Sequence, residues 1–494
     1  MERIKQYAKE NKVFCIFMLL IFLYGFYLRL KVVLLNICIQ SDEIWVLENL
    51  SRTYIQLFKP LINNQVVPVG FLFMEKFLAG ISVESYFLHI LPFSFSLIAL
   101  GFFPFFASKF LNNKYIISIA YFMFAIHPSI ITYSTVVKSY ILDVLFTMVV
   151  IYLVSSLDLK KDSVKKLLII GISLGIILWF SLASGFILIA SLIAFAIYNR
   201  KDLKTKKLLP LILPIIVSLT FYSLWLKNVY YVHYEFMKKW WYVTEKTIGQ
   251  YHFLNQILKE FNLLELSRGF DLDVFSKNLI NLITLWFFFI TCKCKKSLYL
   301  ILPIVIMYAC HFLSLYPIHL RLSLYIVPIF LLVLLIPYEQ MKKLYSKIIM
   351  GIVILVFLVA QIKYVSSCDI ITLMNRDWLH GNSCTDAIEY VNLIKNDEYY
   401  NKNDRIFILF TALFVPPTFE YHFKKNGISN EIVVFYSYEN LLEVIGYDKK
   451  VWLLLAPKYS EQIRKDKRIK VLRRYQHQSY TEFGEEMLYI EFKD

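Results

Sequence analysis

The chain has 494 residues, of which 58% are hydrophobic and only 18% charged, with a mean hydropathy of +0.55. A water-soluble protein of this length has no interior large enough for so much apolar sequence, so the composition points to a polytopic membrane protein. The formal net charge of +16 lies in short loops between apolar runs, the distribution that the positive-inside rule produces, and this excludes a nucleic-acid partner.

The first apolar run, 13–36, follows Arg3, Lys5, Lys9 and Lys12. It lacks a small-residue cleavage site and is long for a signal peptide, so it reads as a retained span with its N-terminus inside. Near its outer end stand Arg29 and Lys31. For Lys31 the expected behaviour is snorkelling toward headgroups. For Arg29 two readings are open: snorkelling, or pointing into a cavity to pair with the acidic loop or a phosphate.

That loop opens with "QSDEIW". Asp42 and Glu43 suit the first turn of a helix capped by Ser41, and carboxylates at a lipid–water boundary are equally candidates for chemistry. From there, Ile44, Leu47, Leu50, Tyr54, Ile55 and Phe58 recur at helical spacing, with Glu48, Asn49, Arg52, Gln56 and Lys59 on the other face. The pattern predicts one amphipathic helix in the interface. A second such element follows Pro68, in "VGFLFMEKFLAGI".

Further spans are predicted at 85–107, 115–131, 139–157, 167–183, 186–199, 209–227, 277–292, 297–315, 320–337 and 348–366, about eleven crossings in all. An odd count places the basic clusters inside and the C-terminus outside. At the outer junction of the third and fourth spans, "HPSIITYSTVVKSY" breaks at Pro128 and carries Lys138 and Tyr140. It reads as an interfacial turn or, since broken backbone at membrane depth lines cavities, as part of one. The external segment 228–276 is rich in Tyr and Trp, as at headgroup level. In "LYPIHLRLSLYIVP", Arg321 is a surface residue or a planar fork for a phosphate, and His319 accompanies it.

Beyond residue 366 the runs "RIFILF", "EIVVFY", "VWLLLA" and "MLYIEF" alternate with helical text such as "SCTDAIEYVNLIK". A small extracytoplasmic α/β domain over 367–494 is expected. No CxxC pair occurs among the seven cysteines; Cys368 and Cys384 are the two placed for an extracytoplasmic disulfide. A Walker A loop, a GxSxG elbow and an HExxH helix are all missing.

Taken in order, "LRLKVVLLNICIQSDEIW", "NNQVVPVGFLFMEKFLAGISVES", "HPSIITYSTVVKSYILDVLF" and "LYPIHLRLSLYIVP" resemble the GT-C class of polytopic glycosyltransferases. The similarity is to the family of protein O-mannosyltransferases and lipid A aminoarabinose transferases. It implies a bacterial inner-membrane enzyme moving a sugar from a polyprenyl-phosphate donor to a lipid, glycan or protein acceptor on the extracytoplasmic face. It makes Asp42 the catalytic carboxylate assisted by Glu43, and Arg29, Lys138 and Arg321 the donor-phosphate ligands, with Gln65, Tyr140 and His319 lining the substrate cavity. Some relatives carry Lys near the polar–Pro step where this chain has Gln65 and Pro68, so a charged phosphate contact there is in doubt. Asp42 and Glu43 are the only plausible metal ligands, and no metal or other cofactor is expected. The rival readings are a flippase for lipid-linked sugars, disfavoured because the acids lie outside the first span and no repeat is evident, a glycan polymerase or ligase, and a non-catalytic glycan receptor.

Overall fold

A computed structural model describes residues 12–35, 39, 41–82, 85–200, 208–240, 295–313, 315–316, 321–367, 383–401, 405–409, 416–428, 431–435, 450–455, 457–466, 468–476 and 486–492. The chain divides into two compact units, one comprising Met1–Asn36 and Asn49–Ile370, the other Ile37–Glu48 and Ile371–Asp494.

The first unit is helical. Its helices are α1 (Lys12–Leu35), the end of α2 (Ser41–Leu50), α3 (Val69–Ala79), α4 (Ile90–Ala107), α5 (Lys114–Ala125), α6 (Pro128–Thr132), α7 (Tyr140–Ser155), α8 (Val164–Ile177), α9 (Ala183–Tyr198), α10 (Leu209–Trp240), α11 (Leu298–Phe312), α12 (Val327–Gln340) and α13 (Leu344–Ser367). Among the described residues, Lys12–Leu34, Ile90–Ala107 and Leu209–Val229 are long and apolar enough to cross a membrane, and five shorter apolar helices accompany them. The chain is a mostly helical membrane protein with a small C-terminal sheet domain. The predicted span 277–292 lies outside the described residues. Helix α10 runs past the predicted end of its span at 227 to Trp240, so the Tyr/Trp-rich segment begins as helix.

Membrane helices need small residues where backbones meet, because lipid is as apolar as Leu and supplies no hydrophobic drive to associate them. The α8–α10 pair shows this at Gly171 and Gly175. A Cβ at Gly171 would stand 2.4 Å from the Leu211 carbonyl oxygen, and one at Gly175 would stand 3.2 Å from that of Pro214. Ser218 closes the seam, donating to the Gly175 carbonyl at 2.6 Å and accepting from the Trp179 indole at 3.1 Å. Gly171→Val therefore forces the two helices apart, at a cost of about 1–3 kcal/mol or more. We expect a lower aggregation temperature for the detergent-solubilised variant. Gly185→Ala, whose Cβ meets only Leu178 at 3.9 Å, should match wild type; equal melting of Gly171→Val and wild type would refute the close-packing account.

Helix α7 is buried along most of its length and packs on α4 and α9, while α12 is buried from Val327 to Pro337. The outer helices turn apolar side chains outward instead. On α13, Ile348, Ile352, Leu355, Val359 and Ile362 are exposed, a helical stripe that suits a lipid-facing wall.

The second unit carries a five-stranded sheet in the order β2-β1-β3-β5-β4. Its strands are β1 (Ile406–Leu409), β2 (Ile432–Phe435), β3 (Lys450–Leu455), β4 (Ile469–Gln476) and β5 (Glu486–Phe492), with helices α14 (Ser383–Lys395), α15 (Pro416–Lys425) and α16 (Pro457–Lys465). Strand β1 pairs in parallel with β2 and β3, and β5 runs antiparallel to β3 and β4. Parallel strands are covered on both faces and read as unbroken apolar runs. Val451 to Leu455 on β3 are accordingly all buried. Strand β4 escaped the sequence reading because Lys470, Arg473 and Arg474 interrupt its apolar pattern. It is an edge strand, where such charges discourage further pairing. Cys368, proposed for a disulfide, lies outside the described residues.

Within this unit His422 on α15 is buried and its Nε2 faces the Ile39 carbonyl oxygen at 3.4 Å. Burial pushes its pKa down to about 4, with Lys425 adding to the effect and the Ile39 carbonyl opposing it. An unfolded His titrates near 6.5, so between those values the unfolded chain binds a proton that the folded chain refuses. The stability associated with this neutral His is complete above about 6.5 and falls as pH drops toward about 4. Thermal melts over this range should show it, with a shallower pH dependence in His422→Asn; an unchanged slope would remove His422 as the cause.

Candidate active site

Asp42 and Glu43 occupy the first turn of α2, where the helix dipole favours carboxylates. Both are buried. They belong to the Ile37–Glu48 stretch of the second unit. The single long amphipathic helix expected from Ile44 to Lys59 does not form: α2 stops at Leu50, and a separate 3-10 turn covers Gln56–Phe58. Local chemistry explains the break. Thr53 and Gln56 cap each other, the Thr53 amide donating to Gln56 Oε1 at 2.9 Å and the Gln56 amide to Thr53 Oγ1 at 3.3 Å, and this reciprocal box starts a new turn. Asn49, expected on the polar face, is buried, and it holds the Ile62 backbone by accepting from its amide at 2.9 Å and donating to its carbonyl at 3.4 Å.

In the first unit, Arg29 is fully buried on α1. Its Nε donates to Ser96 Oγ at 2.8 Å, and its Nη1 to the carbonyls of Gly25 and Ala125, each at 2.9 Å. These bonds brace α1 against α4 and α5 at the point where Gly25 allows close approach to Leu100 and Ala125. Nη2 makes no hydrogen bond among the described residues.

Lys138 is buried in the broken stretch between α6 and α7, and its ammonium donates to Gln65 Oε1 at 2.5 Å. Two residues 73 apart in sequence thus meet. Asn63, two residues before Gln65, takes the left-handed conformation (φ 58°) that Asn tolerates better than most residues. Tyr140 opens α7 with its ring edge-on to Tyr133 at 5.4 Å. Arg321 is half-buried just before the Leu324–Ile326 turn. His319 lies outside the described residues.

Sequence reading passed over Asp143, in the first turn of α7. It is buried, bonded to Ser181 and to the amides of Leu182 and Ala183, and within electrostatic range of Tyr222, Tyr316 and Tyr325. The signal was an ionisable residue inside the apolar text "YILDVLF", which in a membrane span marks a functional position by default.

A helical membrane body followed by a mixed-sheet domain is an architecture found among solved structures. The chain has the GT-C fold that its motifs implied. It is similar to ArnT from Cupriavidus metallidurans bound to undecaprenyl phosphate, at 8% identity over 98% of each chain with a TM-score of 0.55. It is also similar to the apo state of ArnT from the same organism, at 8% identity over 93% of this chain and 96% of the other, with a TM-score of 0.50. No protein-family model matches the chain, and no curated protein does.

Proposed function

We propose that this protein is an integral-membrane glycosyltransferase that moves a sugar from a polyprenyl-phosphate-linked donor to an acceptor hydroxyl on the extracytoplasmic face. The observation that carries the reading is the fold shared end to end with a protein bound to undecaprenyl phosphate. The order of the sequence motifs supports it independently.

In the proposed reaction the acceptor oxygen attacks the anomeric carbon and its proton passes to Asp42. The bond from that carbon to the lipid phosphate breaks, and the phosphate leaves with the electron pair. One in-line displacement inverts the anomeric configuration. Glu43 assists Asp42, and Lys138 and Arg321 hold the charge that develops on the leaving phosphate, where fixed cations in a water-poor site have their largest effect. Gln65 orients the Lys138 ammonium. Arg29, expected as a third phosphate ligand, keeps Nη2 for that role while its Nε and Nη1 brace α1 against α4 and α5. Side chains alone carry the chemistry, with no metal required.

The test is transfer by purified protein from a polyprenyl-phosphosugar to candidate acceptors. Product with inverted configuration supports the proposal. Movement of intact lipid-linked sugar across vesicles without any transfer would establish a flippase instead.

A further inference from the structure

We infer that the loop 52–62 carries a binding site for the phosphate headgroup of an anionic membrane lipid, separate from the residues assigned to the reaction. A cavity of about 370 Å³ there is lined by Arg52, Gln56, Lys59 and Pro60. Arg52 spends one donor on the Pro60 carbonyl, at 2.8 Å, and that bond orients its guanidinium fork at the cavity. Among the described residues, no carboxylate pairs with Arg52 or with Lys59. Elsewhere Lys166 does pair with a carboxylate, Asp162.

The loop is built to present them. Leu57 and Leu61 are buried anchors, Asn49 fastens Ile62 from within, and the Thr53–Gln56 box fixes the turn between. Opposite these anchors, Tyr54, Ile55, Phe58 and Ile62 are exposed, Ile55 to 79%. Tyr54 and Phe58 are steadied edge-on against Phe73. Four exposed apolar side chains on the loop that also carries the basic cavity match the two layers of a membrane surface: acyl chains for the apolar groups, phosphate for the cations. A soluble anion would use the cations and leave these exposed apolar side chains in water, so they select a lipid as the occupant.

The inference rests on the membrane-surface placement of this loop in the reading above. Its readout is a crosslink, so it can fail while transfer persists, and transfer can fail while it stands. Full-length protein is reconstituted in phosphatidylcholine vesicles with a trace of photoactivatable phosphatidylglycerol or photoactivatable phosphatidylcholine, and crosslinks are mapped by peptide mass. Wild type should crosslink phosphatidylglycerol at residues 52–62 well above phosphatidylcholine. Arg52→Gln with Lys59→Gln should weaken that preference about 30-fold, from two basic residues near an anionic surface. Arg52→Lys with Lys59→Arg should retain it, showing that the loss comes from charge and not misfolding. Equal labelling by the two lipids, or an unchanged preference in the double Gln variant, would overturn the site. Abolition of the labelling by excess inorganic phosphate would mark a free-anion pocket and overturn the lipid assignment.

Discussion

Asp42→Asn is expected to lower sugar transfer by about 10²–10⁴-fold, the usual contribution of a positioned general base. Asn keeps the shape of the side chain, and it still suits the start of a helix, where Asn and Asp are both favoured. A loss of rate therefore reports the missing proton acceptor and not a lost helix. The measurement is single-turnover transfer from a polyprenyl-phosphosugar, with circular dichroism and elution volume as controls on folding. Glu43→Gln should cost less, because Glu43 assists. A wild-type rate in Asp42→Asn would remove Asp42 from the chemistry and return the acidic pair to a purely structural role at the start of α2.

Lys138→Met is expected to cost about 10²–10³-fold, the range seen when one donor to a developing oxyanion is removed. The variant fills a similar volume without the charge, and Lys138 is buried, so its cation is not readily replaced by solvent. The loss should fall on kcat more than on KM, since charge on the leaving phosphate grows as its bond to the sugar breaks. Lys138→Arg should recover part of the rate. Gln65→Ala, which frees the ammonium from the oxygen that orients it, should give a milder defect of the same kind. If Lys138→Met raises KM alone, Lys138 binds the donor without stabilising its departure.

How much of this could be read in advance differs from element to element. The apolar runs were legible because a span must satisfy its own backbone and face lipid, and both demands are local. The predicted 13–36, 209–227 and 348–366 match α1, the start of α10 and α13 closely. In the second unit "IFIL", "IVVF" and "KVWLLL" form the expected strands, since a short continuous apolar run suits a covered strand, and "SCTDAIEYVNLIK", with apolar residues at helical spacing, forms the expected helix. The loop after α2 was misread as helix because apolar spacing alone cannot register the Thr53–Gln56 cap or the pull of Asn49 on Ile62.

The site divides in the same way. Sequence by itself determined that this is a polytopic membrane protein, that an acidic pair opens the loop after the first span, and that cations stand beside broken helices, because composition and order along the chain are enough for those statements. Only the tertiary structure decided which partners these buried charged side chains meet. It turned Arg29 inward onto Ser96, Gly25 and Ala125, carried Lys138 to Gln65, and enclosed Asp143 beside Ser181. A charged side chain in a dry interior goes to whatever partner the packing brings within about 3 Å, and that partner comes from a distant part of the chain.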